Sequence, residues 1–413
     1  MSAHKKQQYM TGLHVLQPEQ QAQWMDVLAQ SFQYDVYHLP GYHALAEERD
    51  EGQAHLWLYT EGNYFVAIPL LLRSIGSVET RRVSARPGLR QRAGENPSGL
   101  AEPIGEGWLD ATSVYGYPGP VASHSDVPAS VVRNFQTALC ETLKEWKIVT
   151  VFSRLHPLIP QCGLLSGLGE CVPMGQTVSI DLSLSVEMQR QQYRTNHKRD
   201  INRARREGVT CVHDDDWKYF DTFIDIYYET MRRTGASDDY FFDRTYFIRL
   251  RELLGNHLHL FVALGPATEG SIGSASLGTP KEGLVLSGAL FTVCDSIIQY
   301  HLGGTDSRYL YLGPSKLIFD TVRMWGAELG AEMLHLGGGV GSREDSLFRF
   351  KAGFSNLRCQ FQVWKMVVNE QVYQQLLEQK RAWNQAAGLA AVDDNYFPAY
   401  RCPTQANLKE ELR

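Results

Sequence analysis

The clearest periodicity lies in the second half of the chain. In residues 216–235, DWKYFDTFIDIYYETMRRTG, the apolar positions Phe220, Phe223, Ile224, Tyr227 and Met231 recur at helical spacing, and Gly235 stops the run. The same reading predicts helices over 186–208, ending at Gly208, and over 243–255 with Asp243 as cap. It predicts a further helix over 313–330, where Pro314 suits the first turn and Leu317, Ile318, Met324 and Trp325 form a stripe. Short β-branched or apolar runs predict strands: VTCVH (209–213), LHLFVALG, IGSASLG, GLVLSGALF, EMLHL (332–336) and CQFQVWKMVV (359–368). A polar loop joins GLVLSGALF to the 313–330 helix, and Ser342 reads as the cap of a short helix ending at Gly353. Strand, two helices, three strands, helix, strand, helix, strand is the order of a mixed α/β sheet with helices on both faces.

The first half follows the same order more weakly. Helical segments near 18–31 and 40–50 precede a hairpin, HLWLYT and YFVAIPLLL, turning at Glu61-Gly62-Asn63. A third strand leads into YGYPGP (115–120), then a helix at 128–146 and strands at 150–155 and 176–182. The spacing from YGYPGP through a helix to VTVFSRL matches that from YHLGG (300–304) to MLHLGGG, which predicts a structural duplication. The expected domains are 1–176 and 177–370, with a C-terminal helix and tail at 371–413. Residues 76–109, rich in Gly, Pro and Arg, read as a mobile insertion in the first domain.

Composition narrows the class. With 413 residues the chain exceeds what one core usually fills. A net charge of −6 gives no global attraction to nucleic acid, so DNA binding is not expected and any polyanion site must be local. Seven scattered cysteines without C-x-x-C spacing, and histidines without ligand spacing, argue against a disulfide framework and a metal site. The N-terminus has no apolar stretch, and the longest apolar run is strand-length, so a cytoplasmic protein without signal peptide or transmembrane segment is expected.

Three motifs carry candidate chemistry. The run HLGGGVGSREDSLFRFKAGF, from 335, ends a strand in three glycines and then places Lys351 among phenylalanines. Gly338 and Gly339 would cradle an anion, line a pocket where a carbonyl is attacked, or simply form a tight turn. Lys351, on one helical face with Phe350, would stabilise an oxyanion or snorkel to water. The basic segment RTNHKRDINRARREG, with Arg199 and Arg205, would meet donor phosphates or be a solvated face. Tyr115 and Tyr117 in SVYGYPGP would line a cleft or pack a turn.

Together, NHKRDINRARREG, YHLGGTD, YLGPSKLIFD, HLGGG and DSLFRFKAGFS, with DVYHLPGYHALAE and DATSVYGYPGP upstream, resemble the FemAB-type proteins of the GNAT acyltransferase superfamily. The resemblance spans about residues 30 to 370 and implies two tandem GNAT-like domains. It implies N-acyl transfer to an amine, with acyl or aminoacyl donors and a cell-wall or surface-polysaccharide precursor as acceptor. Lys351 would stabilise the tetrahedral intermediate, with His335 or Asp345 relaying the proton. Asn196, Arg199, Arg205, Tyr300, His301, Gly338, Gly339 and Phe350 would bind donor or acceptor, and Tyr115 and Tyr117 would face the acceptor. QYHLGGTDSRYLYLG lacks the Q/R-x-x-G-x-G/A pattern of acyl-CoA-dependent relatives, and no heptad arm like that of tRNA-dependent ones is inserted. Acyl-CoA and aminoacyl-tRNA therefore both stay open as co-substrate, with no permanently bound cofactor. The acceptor is expected to be a small molecule or a lipid- or nucleotide-linked one. The alternative is a non-catalytic module of the same fold that binds a nucleotide-sugar or cell-wall precursor.

Overall fold

The computed structural model describes residues 10–75, 107–266 and 283–403. Most of the insertion read at 76–109, and the strand read in IGSASLG, lie outside these residues. In chain order the elements are β1 (Gly12–Leu16), α1 (Gln21–Ala29), α2 (Pro40–Glu48), β2 (Gln53–Glu61), β3 (Tyr64–Ser74), β4 (Leu109–Thr112) and β5 (Val121–Ala122). Next come α3 (Ala129–Glu145), β6 (Ile148–Leu155), α4 (Cys162–Leu165), β7 (Glu170–Asp181), α5 (Val186–Gln191), α6 (Thr195–Arg206), β8 (Thr210–His213), α7 (Phe220–Thr234) and α8 (Arg244–Leu254). The chain ends with β9 (Leu258–Leu264), β10 (Val285–Cys294), β11 (Ile297–Thr305), α9 (Pro314–Glu328), β12 (Met333–Gly337), α10 (Ser346–Lys351), β13 (Leu357–Val367) and α11 (Glu370–Ala386).

These elements pack as two compact units. Unit 1 holds the chain up to Pro173 and again from Gln362, and unit 2 is Met174–Phe361. The sequence reading instead ended the second domain at 370. The chain leaves unit 2 within β13, whose residues from Gln362 pair antiparallel with β6.

In unit 1, β3 is buried from Val66 to Leu72, a continuous apolar run suited to a strand covered on both faces. The α3 stripe of Val131, Phe135, Leu139 and Leu143 packs on Trp57, Tyr59, Ile68 and Leu70. Val149 of β6 meets Val372 and Leu376 of α11, whereas its neighbour Ile148 joins the α3 side. Successive strand residues point to opposite faces, so helices cover both.

Unit 2 orders its strands β13-β7-β12-β11-β10-β9-β8. β11 and β12 are parallel across the α9 crossover, and the pairs from β11 to β8 are antiparallel. Gly288 of β10 faces Phe223 of α7, while Ala289 joins a core with Ile318 and Phe319 of α9. The two helices therefore lie on opposite faces. Phe319 stacks on Phe354, 5.2 Å between ring centres, and also touches Phe291 and Tyr300. Truncating such a ring costs about 3–5 kcal/mol.

Three elements differ from the sequence reading. The predicted loop before α9 contains β11, whose glycines disguised it. A side chain at Gly304 would strike the backbone of α7 at Ile226 and Tyr227, so the strand tolerates only glycine there. The single helix predicted over 186–208 breaks into α5 and α6, because Tyr193 turns inward and packs edge-on against Phe354. β1 pairs with β2 and was not anticipated. Cys162 and Cys171 of unit 1 form a single disulfide, and the other five cysteines form none.

Unit 1 also buries His38 and His43 completely. His43 hydrogen-bonds the Tyr37 carbonyl at 3.0 Å. Burial pulls its pKa down to about 3, and burial with the nearby His156 lowers His38 to about 4. Unfolded histidines take up protons near 6.5, whereas folded His38 resists until about 4 and folded His43 until about 3. This stability is thus full above pH 6.5 and drains away as the pH falls from 6.5 to about 3. Thermal melts should show a lower Tm at pH 5 than at pH 7, and His43→Leu should shrink that difference. An unchanged difference in the variant would refute the assignment.

Candidate functional site

β12 ends at Gly337, whose φ of +77° bends the chain out of the sheet. Gly339 follows so closely on Arg343 and Asp345 that a Cβ would strike the Arg343 carbonyl and the Asp345 carboxylate. Asp345 then caps α10, accepting from Phe348 N at 2.9 Å and Val340 N at 3.1 Å. Burial works against its ionisation, but the N–H groups of Phe348, Val340 and Leu347 hold its pKa below the usual range. Asp345 is thereby occupied in shaping the turn.

This turn delivers Lys351 from the last turn of α10. Its side chain is 6% exposed, and Nζ donates to the Gly338 carbonyl at 2.7 Å. The Tyr300 ring lies beside it, 5.5 Å from Nζ to the ring centre. Among the described residues no carboxylate is within ion-pair distance. Burial draws the ammonium from 10.5 down to about 7, against the attraction of Asp345. Tyr300 is partly buried, and desolvation raises its hydroxyl to about 12. Lys351, Tyr300, Gly337 and Gly338 thus converge on one spot at the end of β12.

The other expected residues divide. Phe350 packs on Phe319, Phe354 and His197 and is partly exposed. His301, next to Tyr300 on β11, points to the opposite face and meets the Tyr246 hydroxyl at 3.3 Å. Burial lowers it to about 4. His335 is fully buried, its Nδ1 2.8 Å from the Ser179 hydroxyl, inside the sheet and away from solvent. Tyr115 and Tyr117 belong to unit 1. Tyr115 is exposed beside Arg154, and Tyr117 sits edge-on to Tyr37 and His156.

The basic segment separates into structural and outward-facing members. Asp320 of α9 is fully buried and receives Arg205 at 2.7 Å, Arg190 at 3.2 Å and the equally buried Arg323 at 3.0 Å. Asp200 takes Lys316 at 2.5 Å, with Arg199 and Arg203 beside it. Arg205 is therefore tied to the core, whereas Arg199 is 71% exposed. Asn196 is exposed and contacts the neighbouring His197 ring at 3.1 Å.

Sequence reasoning passed over His197. It reaches from α6 to the Phe350 carbonyl at 2.9 Å, and its ring fills the space a side chain at Gly353 would need. Burial lowers its pKa to about 4, so it docks α6 onto α10 as a neutral ring. The signal was present: His197, Ile201 and Ala204 are the buried positions of α6 at helical spacing, with Asp200 between them.

Among the described residues no three His, Cys, Asp or Glu side chains are placed to hold a metal, and no helix is long and apolar enough to cross a membrane. No protein-family model matches the sequence, and no curated protein matches it. Among solved structures, a crystal structure of FemX superposes with a TM-score of 0.61 at 13% identity, covering 88% of this chain and 99% of that one. L-PGS from Bacillus licheniformis gives 0.47 at 11% identity, covering 88% and 95%. A tandem GNAT protein from the clavulanic acid biosynthesis pathway gives 0.40 at 10%, covering 86% and 98%. The superposition on FemX is a likeness of fold. The chain shares that fold, and its two units are each built on a mixed sheet with helices on both faces.

Removing Asp320 should be far more damaging than removing Arg199. Asp320→Ala leaves the buried Arg323 without its carboxylate, which costs about 3–5 kcal/mol. Arg199→Ala should stay within about 0.5 kcal/mol. Urea midpoints of the two variants check this, and equal midpoints would contradict it.

Proposed function

We propose that this protein transfers an acyl or aminoacyl group from an activated ester or thioester to an amine, with Lys351 at the reacting centre. The observation that carries the reading is Lys351 itself. A lysine kept for packing reaches water with its head group or pairs with a carboxylate. This one does neither: it is buried at the end of β12 with a single carbonyl as hydrogen-bond partner among the described residues.

The acceptor nitrogen attacks the donor carbonyl carbon, and the C=O electron pair moves onto oxygen. A proton leaves the nitrogen, the oxyanion re-forms the C=O bond, and the C–O or C–S bond breaks with its electron pair going to the departing oxygen or sulfur, which takes up a proton. With burial drawing its pKa down to about 7, Lys351 has an uncharged form within reach at neutral pH and accepts that proton on its lone pair. Proton uptake makes it an ammonium just as negative charge develops on the carbonyl oxygen. The base and the oxyanion partner are thus one group acting in sequence. The N–H groups of Gly338 and Gly339 are assigned as further oxyanion donors. The resemblance to FemAB-type proteins extends the reading to an amine on a cell-wall or surface-polysaccharide precursor. Acyl-CoA and aminoacyl-tRNA are the donors to try.

Purified protein with panels of both donors and amine acceptors tests the reaction. Lys351→Met should lower kcat and kcat/KM together by on the order of 100- to 1000-fold. Its Tm should hold or rise, because an apolar tip replaces a desolvated amine. Since the uncharged lysine is the working form, kcat/KM should climb with pH and bend near 7. Lys351→Met should lack the bend. A wild-type kcat in this variant, or a wild-type profile that falls above pH 7, would sink the proposal.

A further inference from the structure

A second feature of unit 2 lies on α6, the helix that His197 docks onto α10. From Arg190 to Glu207 the chain carries seven Lys or Arg against two acids, Asp200 and Glu207, the latter 4.0 Å from Arg206, within a protein of net charge −6. Two carboxylates organise these cations without cancelling them. Asp320 faces three guanidiniums, and Asp200 faces two guanidiniums and an ammonium. Each cluster keeps surplus positive charge, and Arg199 and Arg206 project from α6 with side chains 71% and 75% exposed.

The turn Ser307–Leu312 lies against this helix. Arg203 donates to the Tyr311 carbonyl, and Gly313, just beyond the turn, sits beside Asp200. The turn turns two apolar side chains outward, Leu310 at 45% and Tyr311 at 65% exposure, next to the exposed Arg308. A site for phosphate alone has no use for a leucine exposed to water. Nucleic acid would stack on Tyr311 but gains little from Leu310, which has no ring. Apolar tips flanked by arginines suit a bilayer surface, where the tips enter the headgroup region and the cations meet lipid phosphates.

We propose that α6 and the Ser307–Leu312 turn dock on an anionic lipid bilayer. Arg199 and Arg206 meet headgroup phosphates, and Leu310 and Tyr311 enter the interface. The protein lies on the membrane by this face, and the assignment does not depend on which group is transferred.

Flotation of the full chain with vesicles tests this. Vesicles of phosphatidylcholine containing about one-third phosphatidylglycerol should bind it at about 0.1 M salt, pure phosphatidylcholine should not, and about 0.5 M salt should release it. Arg199→Glu with Arg206→Glu should weaken binding by about tenfold or more. Leu310→Ser with Tyr311→Ser should weaken vesicle binding while leaving binding to a tRNA unchanged, with circular dichroism confirming the fold of both variants. Failure to bind anionic vesicles overturns the proposal, as does vesicle binding indifferent to both double variants. Binding of tRNA without binding of vesicles also overturns it and assigns the face to nucleic acid.

Discussion

The hydrogen bond from Lys351 to the Gly338 carbonyl joins the end of α10 to the loop that leaves β12. Much of the local structure exists to make that contact feasible. Gly337 bends the chain, Gly339 lets it pass the Asp345 carboxylate, and Asp345 fixes where α10 begins. His197 then holds the far end of α10 by its Phe350 carbonyl. With both ends pinned, the lysine has little freedom to swing into water. A group so confined near neutral titration is a chemical asset, since both of its protonation states are within easy reach.

Charge in unit 2 follows a different logic. Asp320 and Asp200 each gather several cations at once, and Asp320 does so with no exposure to water. A buried carboxylate held by several guanidiniums fixes the relative position of α5, α6 and α9 more firmly than apolar contact would, because the geometry of the fork is directional. The same carboxylates let a strongly basic helix exist in folded form without flying apart by self-repulsion.

Much of the fold was legible because periodicity survives in the sequence. The stripe of α7 and the apolar run of β3 announce themselves, and so does the order of elements around α9. β11 was hidden because its glycines serve a neighbour, α7, that lies far away in sequence. The break between α5 and α6 was hidden because Tyr193 is a reasonable helix residue until its burial against Phe354 is known. Lys351 and Gly338 stand out in the sequence by motif and Tyr300 only through the family resemblance, and the three lie near one another at the end of β12. The separation of Tyr300 from His301 follows only once the strand assignment is made, since neighbours on a strand face opposite ways. Arg205 and Arg199 look equivalent in sequence. Only the position of Asp320, more than a hundred residues onward, tells them apart.

Unit 1 is written in two pieces, with unit 2 set between them. Strand β6 pairs with β4 on one side and with the later half of β13 on the other. A ribosome releases the chain from its N-terminus, so unit 2 is complete in sequence before residues 362–367 exist. Throughout that interval β6 offers an open, apolar edge whose rightful partner has not been made. The second unit is thus free to close on its own, and the first must wait for it.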